Sequence, residues 1–274
     1  MLDEAADPSP DVIDQGAFFS CRVAEVRHYT DTLFRFRTAR PRALRFRPGE
    51  FVMIGLPSET KPVLRAYSIA SPSWDDALEF YSIKVDGGAL TSRLRHLAPG
   101  DRVLVGRKPV GTLVTDALKP GKRLYMFSTG TGAAPFASLI REPAVYDRFD
   151  EVILTHTCRT AAELAYTEAL VQAVKTNPLV GEFAAERLTY FNSVTRDDGP
   201  LTGRITTLVE TGGLFDAINR PPLDPAEDRV MICGSMAMLE ELKVMLKARG
   251  FEEGANAKPG GFVVEKAFVG EAVD

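Results

Sequence analysis

Cysteine is scarce in this sequence: three residues in 274, Cys21, Cys158 and Cys233. They are far apart and odd in number, which argues against a disulfide framework and leaves no ligand set for zinc or an iron–sulfur cluster. Any redox chemistry must therefore come from a bound organic cofactor. An apolar run of about 18 residues is also missing, so no transmembrane helix is expected. The opening stretch MLDEAADPSPDVIDQG is acidic and contains proline, unlike the basic start and apolar core of a signal peptide. A cytoplasmic protein with a loose leader over residues 1–17 is expected. Basic excess is absent too. Lys+Arg 33 against Asp+Glu 37 gives a formal net charge of −4, the wrong sign for general nucleic-acid binding.

What remains is an ordinary globular composition, 45% hydrophobic and 26% charged, in a chain long enough for two domains of average size. Over residues 18–118 short alternating segments recur between Gly and Pro punctuation, at 18–26, 33–37, 51–56, 66–70, 78–85 and 102–106. In Leu33-Phe34-Arg35-Phe36-Arg37 the apolar and arginine residues alternate with period two, the pattern of a half-buried antiparallel strand. Six such strands with one short helix near 90–97 predict a small barrel or sandwich. Beyond the turn Lys119-Pro120-Gly121-Lys122 the texture changes. Apolar strands at 124–128, 152–157, 188–194 and 230–233 alternate with helical segments near 133–141, 161–175, 203–211 and 236–249, which predicts a parallel sheet covered by helices on both faces. The domain boundary is placed near residue 118.

Three stretches carry chemistry. In Arg65-Ala66-Tyr67-Ser68-Ile69-Ala70 an arginine stands beside a strand able to bury itself, so it either points to water from an edge or faces an anion alongside. Phe127-Ser128-Thr129-Gly130-Thr131-Gly132-Ala133 joins the first parallel strand to its helix. Its glycines make either a plain tight turn or a cradle in which free N–H groups and the helix dipole meet phosphate oxygens. In Gly87-Gly88-Ala89-Leu90-Thr91-Ser92 two glycines lead into a helix start, giving either N-capping alone or a second phosphate site.

Taken in order, Arg65-Ala66-Tyr67-Ser68, Tyr81-Ser82-Ile83-Lys84-Val85 leading to Gly88-Ala89-Leu90-Thr91-Ser92, Gly130-Thr131-Gly132-Ala133-Ala134-Pro135 and Ile232-Cys233-Gly234-Ser235 resemble the motifs of the ferredoxin–NADP reductases. The ending, Val264-Glu265-Lys266-Ala267-Phe268-Val269-Gly270-Glu271, resembles the bacterial type with a C-terminal tail. The resemblance runs from about Phe19 to the end of the chain. It implies a six-stranded antiparallel FAD-binding β-barrel at 18–118 and a parallel-sheet, Rossmann-like NADP-binding α/β domain at 119–274, in an enzyme exchanging electrons among NADP(H), FAD and ferredoxin or flavodoxin.

By the same resemblance Arg65 pairs with the FAD pyrophosphate, with Ala66 beside it, Tyr67 lies against the isoalloxazine ring, and Ser68 hydrogen-bonds near the nitrogen that accepts hydride. Tyr81, Ser82, Ile83, Lys84 and Val85 contact the flavin or its linker. Ala89, Leu90, Thr91 and Ser92 complete the phosphate site, and Thr131 joins the FAD contacts. Ser128, Thr129, Gly130 and Gly132 hold the NADP pyrophosphate. Arg159, Thr195 and Arg196 follow the ends of successive parallel strands, where a 2′-phosphate is within reach. Cys233, in isolation a small buried hydrophobe, is implied beside the nicotinamide. The sequence departs from the plant type at Ala267, where a terminal tyrosine is the pattern; Ala267 and Phe268 are expected near the FAD. Glu271 is either a proton relay or a solvated terminal carboxylate.

Arg40, Arg42, Arg45 and Arg47 put four arginines into eight residues, as a docking patch for an acidic carrier or as a solvated loop. A monomer without membrane insertion is expected. A reductase component serving an oxygenase and a non-enzymatic FAD-binding regulator are the alternatives. Many of the former carry a fused iron–sulfur domain, for which the cysteines are lacking. The retained Ser68, Cys233 and tail count against the latter.

Overall fold

The computed structural model describes residues 10–59, 61–85, 87–197 and 201–266. Its first half is antiparallel: β1 (Val12–Asp14), β2 (Phe18–His28), β3 (Leu33–Ala39), β4 (Phe51–Gly55), β5 (Leu64–Ser68), β6 (Ala77–Ile83), the one-turn helix α1 (Thr91–Leu94) and β7 (Arg102–Gly106). The strands run in the order β5-β4-β7-β2-β3-β6, with β1 paired to β2. The two ends of this path approach each other where the Tyr67 hydroxyl on β5 meets the Ser82 hydroxyl on β6 at 3.0 Å, so the sheet is a nearly closed six-stranded barrel. Phe34, Phe36, Phe80, Val52, Ile54, Val103 and Val105 fill it.

Two expectations need correction here. The loose leader fails at Val12–Asp14, which pair with Phe19–Cys21, held there as Arg107 bonds Asp14 and the Gly16 carbonyl. The strand placed at 66–70 lies at Leu64–Ser68, and it is a barrel edge rather than a buried strand: Arg65 and Ala66 are exposed, and burial begins only at Ile69 and Ala70.

The second half holds β8 (Arg123–Thr129), α2 (Ala133–Leu139), α3 (Pro143–Arg148), β9 (Glu151–Cys158), α4 (Ala165–Lys175), α5 (Gly181–Arg187), β10 (Leu188–Val194), α6 (Ile205–Thr211), α7 (Gly213–Ile218), β11 (Asp228–Gly234), α8 (Met236–Ala248) and β12 (Phe262–Lys266). All pairings in the order β10-β9-β8-β11-β12 are parallel. Side chains alternate across this sheet as strand geometry requires. Leu124 and Met126 pack on one face with α2, α3, α4 and α5. Tyr125 and Phe127 pack on the other with α6, α7 and α8. The order reverses at β8, which has β9 on one side and β11 on the other, and ligands in such sheets bind beyond the carboxyl ends of the strands at that point.

Barrel and parallel sheet share one core, because Leu33, Ala70 and Tyr81 of the barrel pack into the cluster that holds α2 and α4. A polar joint reinforces it. The buried Glu79 carboxylate on β6 accepts from Arg35 at 2.9 Å, from Arg141 after α2 at 3.2 Å and from the Tyr166 hydroxyl on α4 at 2.9 Å. Burial alone would raise its pKa, but Arg141 and Arg35 outweigh that and hold it below the usual value. Among the described residues no helix is long and apolar enough to cross a membrane.

Candidate active site

A cleft opens where the barrel edge meets the first turn of the parallel sheet. One wall is Arg65, Ala66, Tyr67 and Ser68 of β5; another is Tyr81, Ser82 and Ile83 on β6, with Thr91 of α1; Thr131 and Ala134 beyond β8 complete it. Ala134 was not anticipated from the sequence. An occupant of this cleft touches both halves of the molecule.

The β5 wall is rich in uncommitted polar groups. Arg65 is exposed, its guanidinium bonds the neighbouring Leu64 carbonyl at 2.9 Å, and no described carboxylate pairs with it. The Ser68 hydroxyl makes no hydrogen bond among the described residues, whereas that of Tyr67 is fixed by Ser82. The Tyr67 ring stands edge-on to Phe80. Tyr81 is backed by Tyr166, stacked at 4.1 Å between ring centroids and 17° between planes. An unpaired cation, a free hydroxyl and two rigid aromatic rings suit a flat heteroaromatic ring system carrying a phosphate chain, so the residues present fit FAD.

The Gly88–Thr91 turn is closely packed. A side chain on Gly88 would meet Thr91 Oγ1 at 2.2 Å, and that hydroxyl donates to the Val85 carbonyl at 3.3 Å. Leu90 is buried in the barrel core, so only its backbone is offered outward. Ala89 is exposed and Ser92 half-buried, and neither lines the cleft; nor do Lys84 and Val85.

The glycine turn sits at the switch point. Gly130 has φ +52°, and a side chain on Gly132 would lie 2.1 Å from the Cys233 carbonyl oxygen, so only glycine permits the turn to press against the end of β11. The Thr129 hydroxyl accepts from Ser235 N–H at 2.9 Å, which ties the turn to β11 a second time. The Ser128 hydroxyl donates inside the sheet to the Thr155 carbonyl at 2.6 Å, which leaves its backbone as what it can offer a ligand at the turn.

Arg159 and Arg196 follow β9 and β10. The Arg196 N–H donates to the Arg159 carbonyl at 2.9 Å, so the two arginines leave the sheet side by side. Both are exposed, and no described carboxylate pairs with either guanidinium. Thr195, directly before Arg196, donates to the Cys158 carbonyl at 3.3 Å.

Cys233 is fully buried at the end of β11 and does not line the cleft. Burial first, then the nearby Glu265, pushes its thiol well above the ordinary value, so it stays protonated and packs rather than attacks. Glu265 was not singled out from the sequence. On β12 it stands opposite Cys233 in register, and its carboxylate is 3.4 Å from the Thr112 N–H. Burial pushes it up to about 7, against the Thr112 N–H and with help from the charge of Glu50. Ala267, Phe268 and Glu271 lie outside the described residues.

The arginine group divides. Arg40 is an internal brace, donating to the carbonyls of Ser73 at 2.6 Å and Asp75 at 2.8 Å. Arg47 pairs with Glu50 at 2.9 Å. Arg42 and Arg45 are exposed and free of carboxylates among the described residues, so the patch of four reduces to two uncommitted charges.

Residues 22–114 match the oxidoreductase FAD-binding domain family and residues 126–243 the oxidoreductase NAD-binding domain family. The chain is 55% identical over 252 residues to a flavodoxin/ferredoxin–NADP reductase of Rhodobacter capsulatus, covering 92% of this chain and 93% of that protein. It is 50% identical over 249 residues to a ferredoxin–NADP reductase of Azotobacter vinelandii, covering 90% and 96%. A crystal structure of a ferredoxin NADP+ reductase from Neisseria gonorrhoeae with bound FAD and NADP superposes with a TM-score of 0.84 at 28% identity, covering 93% of this chain and all of that one. With the barrel, the switch-point turn and the cleft between them already in place, these likenesses show that the chain belongs to the flavodoxin/ferredoxin–NADP reductase family.

Proposed function

We propose that this chain is an NADPH-dependent reductase of ferredoxin or flavodoxin, with the barrel (18–118) holding FAD and the parallel-sheet half (119–274) holding NADP(H). The observation that supports the reading is the cleft built jointly by β5 and the turn after β8. FAD, when bound, supplies the step that neither protein half can: it takes up a hydride and gives out electrons one at a time.

The chain's own residues bind and orient. Arg65 neutralises the pyrophosphate with help from the backbone at Leu90 and Thr91. Tyr67 and Tyr81 hold the ring system, Tyr67 kept from rotating by Ser82 and Tyr81 by Tyr166. The free Ser68 hydroxyl offers a hydrogen bond at the ring edge. Gly130 and Gly132 bring backbone N–H groups up to the second pyrophosphate, and Arg159 and Arg196 take the 2′-phosphate. Cys233, buried behind the cleft, packs under the nicotinamide site without reacting. A monomer acting in the cytoplasm belongs to the same reading.

Arg42 and Arg45 are the patch's remaining means of steering an acidic carrier. Charge reversal at both is expected to slow carrier reduction about 10-fold at low ionic strength, with the difference shrinking as salt screens the attraction. Reduction of a small uncharged acceptor should continue at the wild-type rate. Equal losses with carrier and small acceptor would assign the two arginines to structure and remove them from docking.

A further inference from the structure

We propose that His156 is a positioning residue of the coenzyme turn: its ring, donating from Nε2, holds the Gly130 carbonyl inward and so leaves the turn's N–H groups facing the pyrophosphate. The inference rests on the placement of NADP(H) given above.

His156 lies on β9 opposite Ser128, fully buried beneath the turn. Its Nε2 is 2.9 Å from the Gly130 carbonyl oxygen, which can only accept, so Nε2 carries the proton. Nδ1 is then an acceptor, 2.8 Å from Thr167 Oγ1. The Thr167 hydroxyl also lies 3.0 Å from the Leu164 carbonyl and 2.8 Å from the Tyr190 hydroxyl. Its single proton goes to Nδ1, which otherwise has only the weakly donating Cys158 thiol at 3.9 Å, and an unsatisfied nitrogen in this site is costly. The Tyr190 hydroxyl then donates to Thr167. The same Cys158 sulfur lies 3.3 Å from Nε2. Burial lowers the ring's pKa to about 4, so it is neutral in the ordinary working range.

The turn needs such a hold at one peptide in particular. Gly132 is locked by the Cys233 carbonyl, and Thr129 by Ser235 N–H. Gly130, with φ +52°, has nothing within 4 Å of the place a side chain would take. No side-chain packing holds Gly130, and the hold comes through its carbonyl, which accepts from Ala133 N–H and from His156. His156 supplies the contact that does not depend on the turn itself.

The test is NADP+ binding to the FAD-loaded protein by calorimetry. Net loss of one hydrogen bond corresponds to about 2- to 10-fold in affinity. His156→Leu should weaken NADP+ across that range and raise the KM for NADPH with little change in kcat. Thr167→Val, which removes the partner of Nδ1 and so loosens the ring, should show a smaller loss in the same direction. His156→Gln, whose amide N–H can reach toward Gly130, should recover most of the affinity, a rescue that loss of packing alone would not give. Nitrogen-15 NMR of the wild-type imidazole should show a protonated Nε2 and a bare Nδ1 at pH 7, and this holds even if His156→Leu fails to fold. An Nδ1–H tautomer or an imidazolium at pH 7 would overturn the proposal, as would unchanged NADP+ affinity in both the Leu and Val variants. Wild-type protein that binds no NADP+ would overturn the coenzyme placement itself, and that result is seen before any substitution is made.

Discussion

NADPH-dependent efficiency is expected to fall about 10- to 150-fold in Arg159→Ala and likewise in Arg196→Ala, with NADH-dependent efficiency almost unchanged. The range follows from roughly 1.5–3 kcal/mol for a hydrogen bond to a charged group, at about 1.4 kcal/mol per decade. The selectivity follows from position. Both arginines leave the carboxyl ends of adjacent parallel strands side by side, exposed, with no described carboxylate to neutralise them. Of the two coenzymes, only NADPH carries a dianionic 2′-phosphate for such a pair to bind. The neighbouring carboxylates have other work: Glu163 accepts from the Arg159 N–H at 2.8 Å, and Asp197 from the Ala161 N–H at 2.8 Å. Steady-state kinetics of each variant with both coenzymes checks the prediction. Equal losses for NADPH and NADH would move the arginines from 2′-phosphate recognition to pyrophosphate binding or folding.

Glu265→Gln is expected to stabilise the protein at pH 8 by up to about 3 kcal/mol while changing little near pH 4.5. The sign follows from proton counting. Burial raises the folded-state pKa from 4.5 to about 7, so between these values the folded protein keeps a proton that the unfolded chain has released. Stability contributed by this group is therefore full below the unfolded pKa and is lost as pH rises through the folded one. Glutamine carries no such proton and removes the slope. Urea unfolding of wild type and variant at pH 5 and pH 8 gives the comparison; a pH dependence identical in the two proteins would show that Glu265 titrates normally.

Much of the fold was legible because barrel strands and parallel strands carry different periodicities. Alternation marked 33–37 as half-buried, and the unbroken apolar run at β8 marked it as covered on both faces. Short elements were harder to read. Helix α3 has six residues and begins at Pro143, and α7 begins at Gly213 directly after a left-handed Gly212, so neither offers two full turns of helical pattern. Strand β12 reads in sequence only as part of the tail; its pairing with β11 decides that it is the sheet edge.

The site divides along the same line. Glycines and arginines at turns announce themselves, because their local conformation or charge has no other easy explanation. His156 and Glu265 do not. Each sits inside a strand, and its meaning comes from register: His156 lies across from Ser128 beneath the glycine turn, and Glu265 across from Cys233. No spacing within the chain encodes those neighbours. Arg40 and Arg47 err the other way, since a cluster of like charges in sequence proves to be one internal brace, one exposed arginine paired with Glu50 and two charges with no described carboxylate.

Anaerobic stopped-flow spectroscopy tests the central claim most directly: NADPH is mixed with the purified protein, and the product is then mixed with oxidised flavodoxin or ferredoxin. The account predicts a yellow protein whose flavin absorbance bleaches with NADPH and returns as the carrier is reduced. A protein that takes up no FAD, or one whose bound flavin stays oxidised in the presence of NADPH, would contradict it.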